Sequence, residues 1–99
     1  MICLPIKKQW FDMILSGKKK EEYRDIKEYW FTRFQNEGFL TFTGSPSLES
    51  KPVMFRNGYR VSSPTFIAEC TLIRGKGRTE WGAEPEKEYF ILVINKIRR

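Results

Sequence analysis

The chain has 99 residues, of which 40% are hydrophobic and 15% aromatic, and it carries a formal net charge of +6. This size and composition predict one globular domain over residues 1–99 and exclude a disordered chain. The sequence has no histidine and only two cysteines, which argues against Ser-His or Cys-His catalysis, a disulfide framework and the usual zinc sites, so we expect neither a metal nor a cofactor.

The N-terminal segment predicts a strand followed by a helix. Residues 2–6 are short and apolar, which suits a first strand. From Lys7 to Ser16 the apolar residues recur at helical spacing. Gly17 then stands where a left-handed residue commonly ends a helix, so the helix is expected to stop there.

A polar strand and a second helix are predicted next. Residues 18–24 should form a strand with a strongly polar face. Asp25 is expected to cap the second helix, because Glu28 follows it at the spacing of a capping box. The sequence Asn36-Glu37-Gly38 should end this helix.

The rest of the chain is rich in strands. Asn57-Gly58 is a strong two-residue turn signal, and Gly75-Lys76-Gly77 marks another turn. The last strand is nearly continuous in apolar residues, which predicts burial on both faces. Together these elements indicate an α+β fold, a small β-barrel of five to six mostly antiparallel strands with two helices in the N-terminal half. The strands of this part are predicted at residues 53–56, 59–61, 65–73 and 88–94.

The positive charge is concentrated in the middle of the chain. Residues 51–78 hold six basic residues and a single acidic one, Glu69, whereas the flanking segments are nearly balanced. This favours an anionic partner such as RNA or a nucleotide, with a solvated basic face as the alternative. The six basic residues are Lys51, Arg56, Arg60, Arg74, Lys76 and Arg78.

Nothing in the sequence predicts export or membrane insertion. The first residues lack the basic flank and apolar stretch of a signal peptide, and no apolar run approaches the ~20 residues of a membrane helix. Cys3 and Cys70 lie in apolar surroundings, as expected of reduced and buried thiols. We therefore expect a cytoplasmic protein without a membrane partner.

The run from Gly17 to Arg24 holds the main candidate site. Side chains on a strand alternate between faces, so Glu22 and Arg24 should point to the same face. Lys19, near the start of the strand, should lie within reach of both. As a binding site, Arg24 would contact a phosphate or base edge, Lys19 would add charge, and Glu22 would accept from an exocyclic amine. As a catalytic site, a Lys19 with a lowered pKa would act as a base, with Glu22 orienting water. A simple surface ion pair is the structural alternative.

A second candidate cluster surrounds the predicted turn at residue 57. Arg56, Asn57, Tyr59 and Arg60 combine the basic, aromatic and amide groups that stack on and hydrogen-bond single-stranded bases. Trp81 lies in a polar loop, where it would either stack on a base or plug the end of the barrel.

The motif Gly17-x-Lys19-x-x-Glu22-x-Arg24, after an N-terminal strand and a helix, resembles the signature of the ASCH domain family, part of the PUA-like superfamily of small β-barrels. The segments 2–7, 55–59 and 80–85 are similar to those of short stand-alone members from bacteria and phages. The resemblance implies a cleft lined by the motif that takes RNA or a modified nucleoside.

Some members of that family resemble amidohydrolases that act on N4-acetylcytidine, and others are reported as ribonucleases. The amidohydrolase type carries a threonine nucleophile where this chain has Glu22, and a carboxylate is a poor substitute for it. We therefore expect an RNA- or nucleotide-binding protein. The alternatives are an enzyme, either such an amidohydrolase or a metal-independent ribonuclease using Lys19 and Glu22, and a protein-interaction module.

Overall fold

Residues 1–98 are described by a computed structural model, in which five β-strands and two α-helices enclose a main apolar core. The sheet curls into a half-barrel, which confirms the α+β class and the two helices in the N-terminal half. Its strand order is β1-β3-β4-β5-β2, and only the β1–β3 pair is parallel. In chain order the elements are β1 (Ile2–Ile6), α1 (Lys8–Leu15), β2 (Glu21–Asp25), α2 (Glu28–Asn36), β3 (Lys51–Asn57), β4 (Thr65–Lys76) and β5 (Glu88–Ile97), with a 3₁₀ turn at Thr79–Trp81.

The two edge strands of the half-barrel, β1 and β2, flank an open seam. β1 pairs with β3 and β2 pairs with β5, and in the part of the chain that the structure describes β1 and β2 do not pair with each other. The Arg24 guanidinium crosses the seam and donates through Nη2 to the Pro5 carbonyl at 3.3 Å. The candidate motif therefore lies where the barrel is open.

Both faces of the sheet are apolar at β5, where alternate side chains belong to two different apolar clusters. On β5, Phe90 and Leu92 face the main core, whereas Tyr89 and Ile91 belong to a second apolar cluster on the other face. All four are buried, so the prediction that this strand is buried on both faces is confirmed. The second cluster also contains Tyr23 of β2.

Two predictions about β2 and α2 are wrong in detail. Lys18, Lys19 and Lys20 precede the strand, which begins only at Glu21. Asp25 does not cap α2, because it is the last residue of β2, and Lys27 occupies the N-cap position without a side-chain cap. The Asp25 carboxylate instead pairs with Lys87 at 2.9 Å, a partner far along the chain.

The predicted two-residue hairpin at Asn57-Gly58 is also wrong. Residues 59–61 do not form a return strand; the connection continues to Pro64, and β4 starts at Thr65 opposite Arg56. The Gly58 N–H donates to the Ile6 carbonyl at 2.9 Å, which directs the loop across the end of β1. The predicted turn at Gly75 is likewise absent from the described chain, since β4 runs through it to Lys76.

Neither α-helix within residues 1–98 is long or apolar enough to span a membrane; the longer, α2, has nine residues.

Candidate functional site in the open seam of the half-barrel

The end of α1 determines where the Lys19 side chain goes. Gly17 has φ +84°, the left-handed conformation predicted for it. The N–H groups of Lys18 and Lys19 both donate to the Met13 carbonyl, so the chain wraps over the helix end before entering β2. This turn directs Lys19 into the protein, and its side chain is fully buried.

Lys19, Glu22 and Arg24 form one continuous ion network, as the alternation of β2 predicted. Lys19 Nζ lies 3.1 Å from Glu22 Oε1, and Arg24 Nη1 lies 2.6 Å from Glu22 Oε2. The carboxylate is thus held between two cations, and the three groups together carry a net charge of +1. Burial lowers the pKa of the Lys19 ammonium, an effect that the Glu22 carboxylate opposes.

The Lys19 ammonium is also held by groups other than Glu22. Nζ donates to the Trp81 carbonyl at 2.5 Å and lies 4.8 and 4.9 Å from the ring centroids of Trp10 and Tyr23. These partners surround the ammonium. Lys19 therefore holds the Glu22 carboxylate in place from a buried position that lies outside the lining of both lobes of the cleft described below.

Glu21 and Glu22 have different environments, because neighbouring side chains of β2 point to opposite faces. Glu22 is buried in the ion network, whereas Glu21 accepts a hydrogen bond from the Tyr23 hydroxyl at 2.8 Å. That hydroxyl in turn accepts from the Arg78 N–H at 2.9 Å. Burial raises the pKa of Tyr23, which keeps its hydroxyl protonated as a donor.

A cleft with two lobes lies along the seam. The first lobe, about 370 Å³, is lined by Glu22, Trp10 and Asn57, together with residues 5–8 and Gly58. The second, about 390 Å³, is lined by Cys3 and by side chains of α2. The lobes share Pro5, Arg24 and Tyr59. The side chains of α2 in the second lobe are Tyr29, Trp30 and Arg33.

Sequence reasoning missed the aromatic walls of this cleft. Trp10 in the first helix, and Tyr29 and Trp30 in the second, fall at apolar positions of the helical pattern, which predicts that they pack in the core. Tyr29 is in fact 56% exposed, and Arg24 stacks over the Trp30 ring at 5.2 Å. The available signal was the run Tyr29-Trp30-Phe31. Three consecutive residues spread over more of the circumference of a helix than one apolar face covers, so at least one of them has to lie outside the core.

The cations that line the cleft come from the N-terminal third of the chain instead of its basic middle. Glu22 is the one carboxylate among the described lining residues, and outside the lining Asp12 pairs with Lys8 at 2.6 Å. In the middle segment, Arg74 pairs with Glu88 and Lys76 with Glu86. These ion pairs offset the positive excess counted there. The cations of the cleft are Lys7, Lys8, Arg24 and Arg33.

The second candidate cluster is divided by the structure. Asn57 and Tyr59 line the cleft, and the Tyr59 side chain is 88% exposed. Arg56 and Arg60 lie outside both lobes of the described cleft. Trp81 lies outside them as well, packed against the second apolar cluster with the Arg78 guanidinium 5.0 Å from its ring.

No group of three His, Cys, Asp or Glu side chains in residues 1–98 is arranged to hold a metal ion. Both cysteines are free thiols: Cys70 is buried as predicted, whereas Cys3 is only half-buried at the second lobe. Burial raises the pKa of the Cys70 thiol to about 12, as expected of an inert core residue.

Comparison with known proteins adds no independent assignment. No protein-family model matches the chain, and no curated protein or solved structure matches it at a significant level. Any assignment of function therefore depends on the geometry of the cleft and the chemistry of its side chains.

Proposed function

We propose that this protein is a PUA-like half-barrel of the ASCH type that binds RNA or a nucleotide-like ligand in the cleft between β1 and β2. One observation carries the proposal: a buried network holds the Arg24 guanidinium and the Glu22 carboxylate in fixed positions at the base of an aromatic-walled cleft. Fixed polar groups among apolar walls are typical of small-ligand sites of this volume.

The aromatic walls suit the flat faces of nucleobases. Trp10, Tyr59, Tyr29 and Trp30 all line the cleft. Single-stranded RNA is recognised mainly by stacking of unpaired bases on such side chains, combined with hydrogen bonds to base edges. Glu22 supplies acceptors for a base amine, and the Asn57 amide supplies both a donor and an acceptor.

The charge of the cleft suits phosphate. Four basic side chains line it against the carboxylate of Glu22, and Lys8 pairs with Asp12 at 2.6 Å, so these groups together carry a net charge of +2. Phosphate binding by lysine and arginine releases counterions, so affinity should fall steeply as salt is added. A ligand without phosphate would show little of this dependence.

The position of Lys19 favours binding over catalysis. A general base has to reach the proton that it removes. The Lys19 ammonium is instead buried against the Trp81 carbonyl and Glu22, and it lines neither lobe of the described cleft. Lys19 therefore acts on the ligand through Glu22, as a positioning residue.

The test is fluorescence anisotropy with a 5′-labelled single-stranded RNA of mixed sequence at two salt concentrations. Tyr59→Ala removes an exposed wall of both lobes, and Val61→Ala is its matched control, because Val61 is 87% exposed in the same loop and outside both lobes. Stacking of a base contributes ~1–3 kcal/mol, so Tyr59→Ala should weaken binding by about 5- to 150-fold. Val61→Ala should leave affinity unchanged.

Three outcomes would contradict this proposal. Absence of RNA and nucleotide binding at low salt would leave the protein-interaction alternative. Equal affinities of the two variants would place the ligand elsewhere. A mass change in the RNA, or in N4-acetylcytidine, that is lost in Glu22→Gln would make the protein an enzyme.

A further inference from the structure

The cleft has two separate lobes of nearly equal size, about 370 and 390 Å³. Each falls in the range of a complete small-ligand site. Each also has its own aromatic wall, Trp10 in the first lobe and Tyr29 with Trp30 in the second. Two lobes of this kind are more than a single nucleotide would fill.

The lobes differ in their chemistry. The first contains the fixed carboxylate of Glu22 and the amide of Asn57, which can both contact a base edge. The second contains no carboxylate among its described lining residues, and its aromatic rings, Tyr29 and Trp30, pack edge to face with centroids 4.9 Å apart. Arg24 and Phe34 already pack on the Trp30 ring, so the 56% exposed ring of Tyr29 is the surface of the second lobe on which a base can stack. The first lobe is therefore suited to contacting the edge of a base, and the second to stacking a base on Tyr29.

Arg24 stands at the junction of the lobes. Its guanidinium donates to Glu22 Oε2, the Tyr23 carbonyl and the Pro5 carbonyl, three of its five N–H donors. Within residues 1–98 the other two donors have no hydrogen-bond partner. Because Lys19 supplies a second cation to Glu22, the network remains positive at this point. A free guanidinium donor on a positive junction suits a phosphate group.

We propose that the ligand is a single-stranded oligonucleotide of at least two residues. One base enters each lobe, and the phosphate that links them lies against Arg24, with Tyr59 dividing the two bases. Splayed, unstacked bases on separate aromatic walls are the usual conformation of protein-bound single-stranded RNA. This inference depends on the proposed function and narrows its ligand from a nucleotide to a chain.

The experiment is a length series measured by calorimetry at constant salt: nucleoside monophosphates, dinucleotides, trinucleotides and tetranucleotides of the same base composition. Affinity should rise by about 5- to 150-fold from one residue to two, the contribution of one stacked base, and then change little. Equal affinity for monophosphates and dinucleotides would overturn the inference and leave the proposed function standing. No binding at any length would overturn both.

Two variants test which lobe provides the gain in affinity from a monophosphate to a dinucleotide. Tyr29→Ala removes a half-exposed wall of the second lobe only, so it should weaken dinucleotide binding by a larger factor than monophosphate binding. Tyr59→Ala removes the shared wall and should weaken both. Tyr29→Ala with unchanged dinucleotide affinity would refute the second base site, whatever the length series shows.

Discussion

The buried ion network should make Lys19 more important for stability than any other lysine of the described chain. Lys19→Met keeps most of the side-chain volume but removes the ammonium. The Glu22 carboxylate then retains only Arg24, and the Trp81 carbonyl loses its 2.5 Å donor. Breaking a buried ion pair by removing one partner costs about 3–5 kcal/mol. Since Arg24 remains, the lower end of this range is expected.

A loss of about 3 kcal/mol is large for a domain of this size, whose total stability is on the order of 5–15 kcal/mol. Each kcal/mol shifts the Tm of a 60–100-residue domain by about 4–8 °C, so Lys19→Met should lower the Tm by about 12–24 °C. Urea denaturation followed by tryptophan fluorescence gives the free energy of unfolding independently.

A double-mutant cycle tests the physical reason for this loss. Glu22→Leu alone leaves the buried ammonium without its carboxylate, and it should also destabilise. The double variant Lys19→Met/Glu22→Leu removes both charges and should regain part of the lost stability, because an apolar pair avoids the desolvation penalty. Strictly additive losses, or a loss below about 1 kcal/mol in Lys19→Met, would refute the reasoning.

The pH dependence of stability provides a second check on Lys19. Its pKa in the folded protein lies below its ordinary value of 10.5, so the unfolded chain binds more protons between those two values. Stability should therefore rise with pH across that interval in the wild type. Lys19→Met should lack this component, and an identical alkaline profile in both proteins would contradict it.

Two further predictions concern the packing and charge around β2. A Cβ at Gly77 would lie 2.6 Å from Tyr23 Cε1, so Gly77→Ala should lower the free energy of unfolding in urea by about 1–3 kcal/mol. A Cβ at Gly75 would make only an ordinary van der Waals contact, so Gly75→Ala is the control and should be near neutral. Similar losses in both variants would contradict the close packing of Gly77 against Tyr23. The Lys87 hydrogen bond lowers the pKa of Asp25 in the folded protein. The Asp25–Lys87 pair stabilises the protein fully above the pKa of Asp25 in the unfolded chain, and this contribution is lost as pH falls through the pKa of Asp25 in the folded protein. Asp25→Asn should therefore reduce the loss of stability at acid pH. An acid loss equal to that of the wild type would show that the pair is not its cause.

Local signals in the sequence were sufficient to predict that Lys19, Glu22 and Arg24 converge, but not that they form a buried ion network. Gly17 ends α1 because a left-handed residue is needed there, and the period of two along β2 aligns Glu22 with Arg24. Both features depend only on residues close in sequence. The same is true of the continuous apolar run of β5, whose burial on both faces is confirmed.

Predictions failed where distant residues decide the conformation. Asp25 has the side chain and spacing of a helix cap, but Lys87 pairs with it at the end of β2. Asn57-Gly58 has the signal of a tight turn, but Gly58 hydrogen-bonds to Ile6 of the parallel neighbour and the loop continues. The walls of the cleft also depend on tertiary structure, because Tyr29 of α2 and Tyr59 line the same lobe only after folding.

The most direct test of the proposed ligand site is a nuclear magnetic resonance titration that follows the three tryptophan indole N–H signals. A single-stranded tetranucleotide should shift the signals of Trp10 and Trp30, which line the first and second lobes, and should leave Trp81 much less affected. Saturable shifts of both cleft signals would support a nucleic acid bound along the seam. If neither signal moves at low salt, or if Trp81 moves most, the site lies elsewhere and the proposed function is wrong.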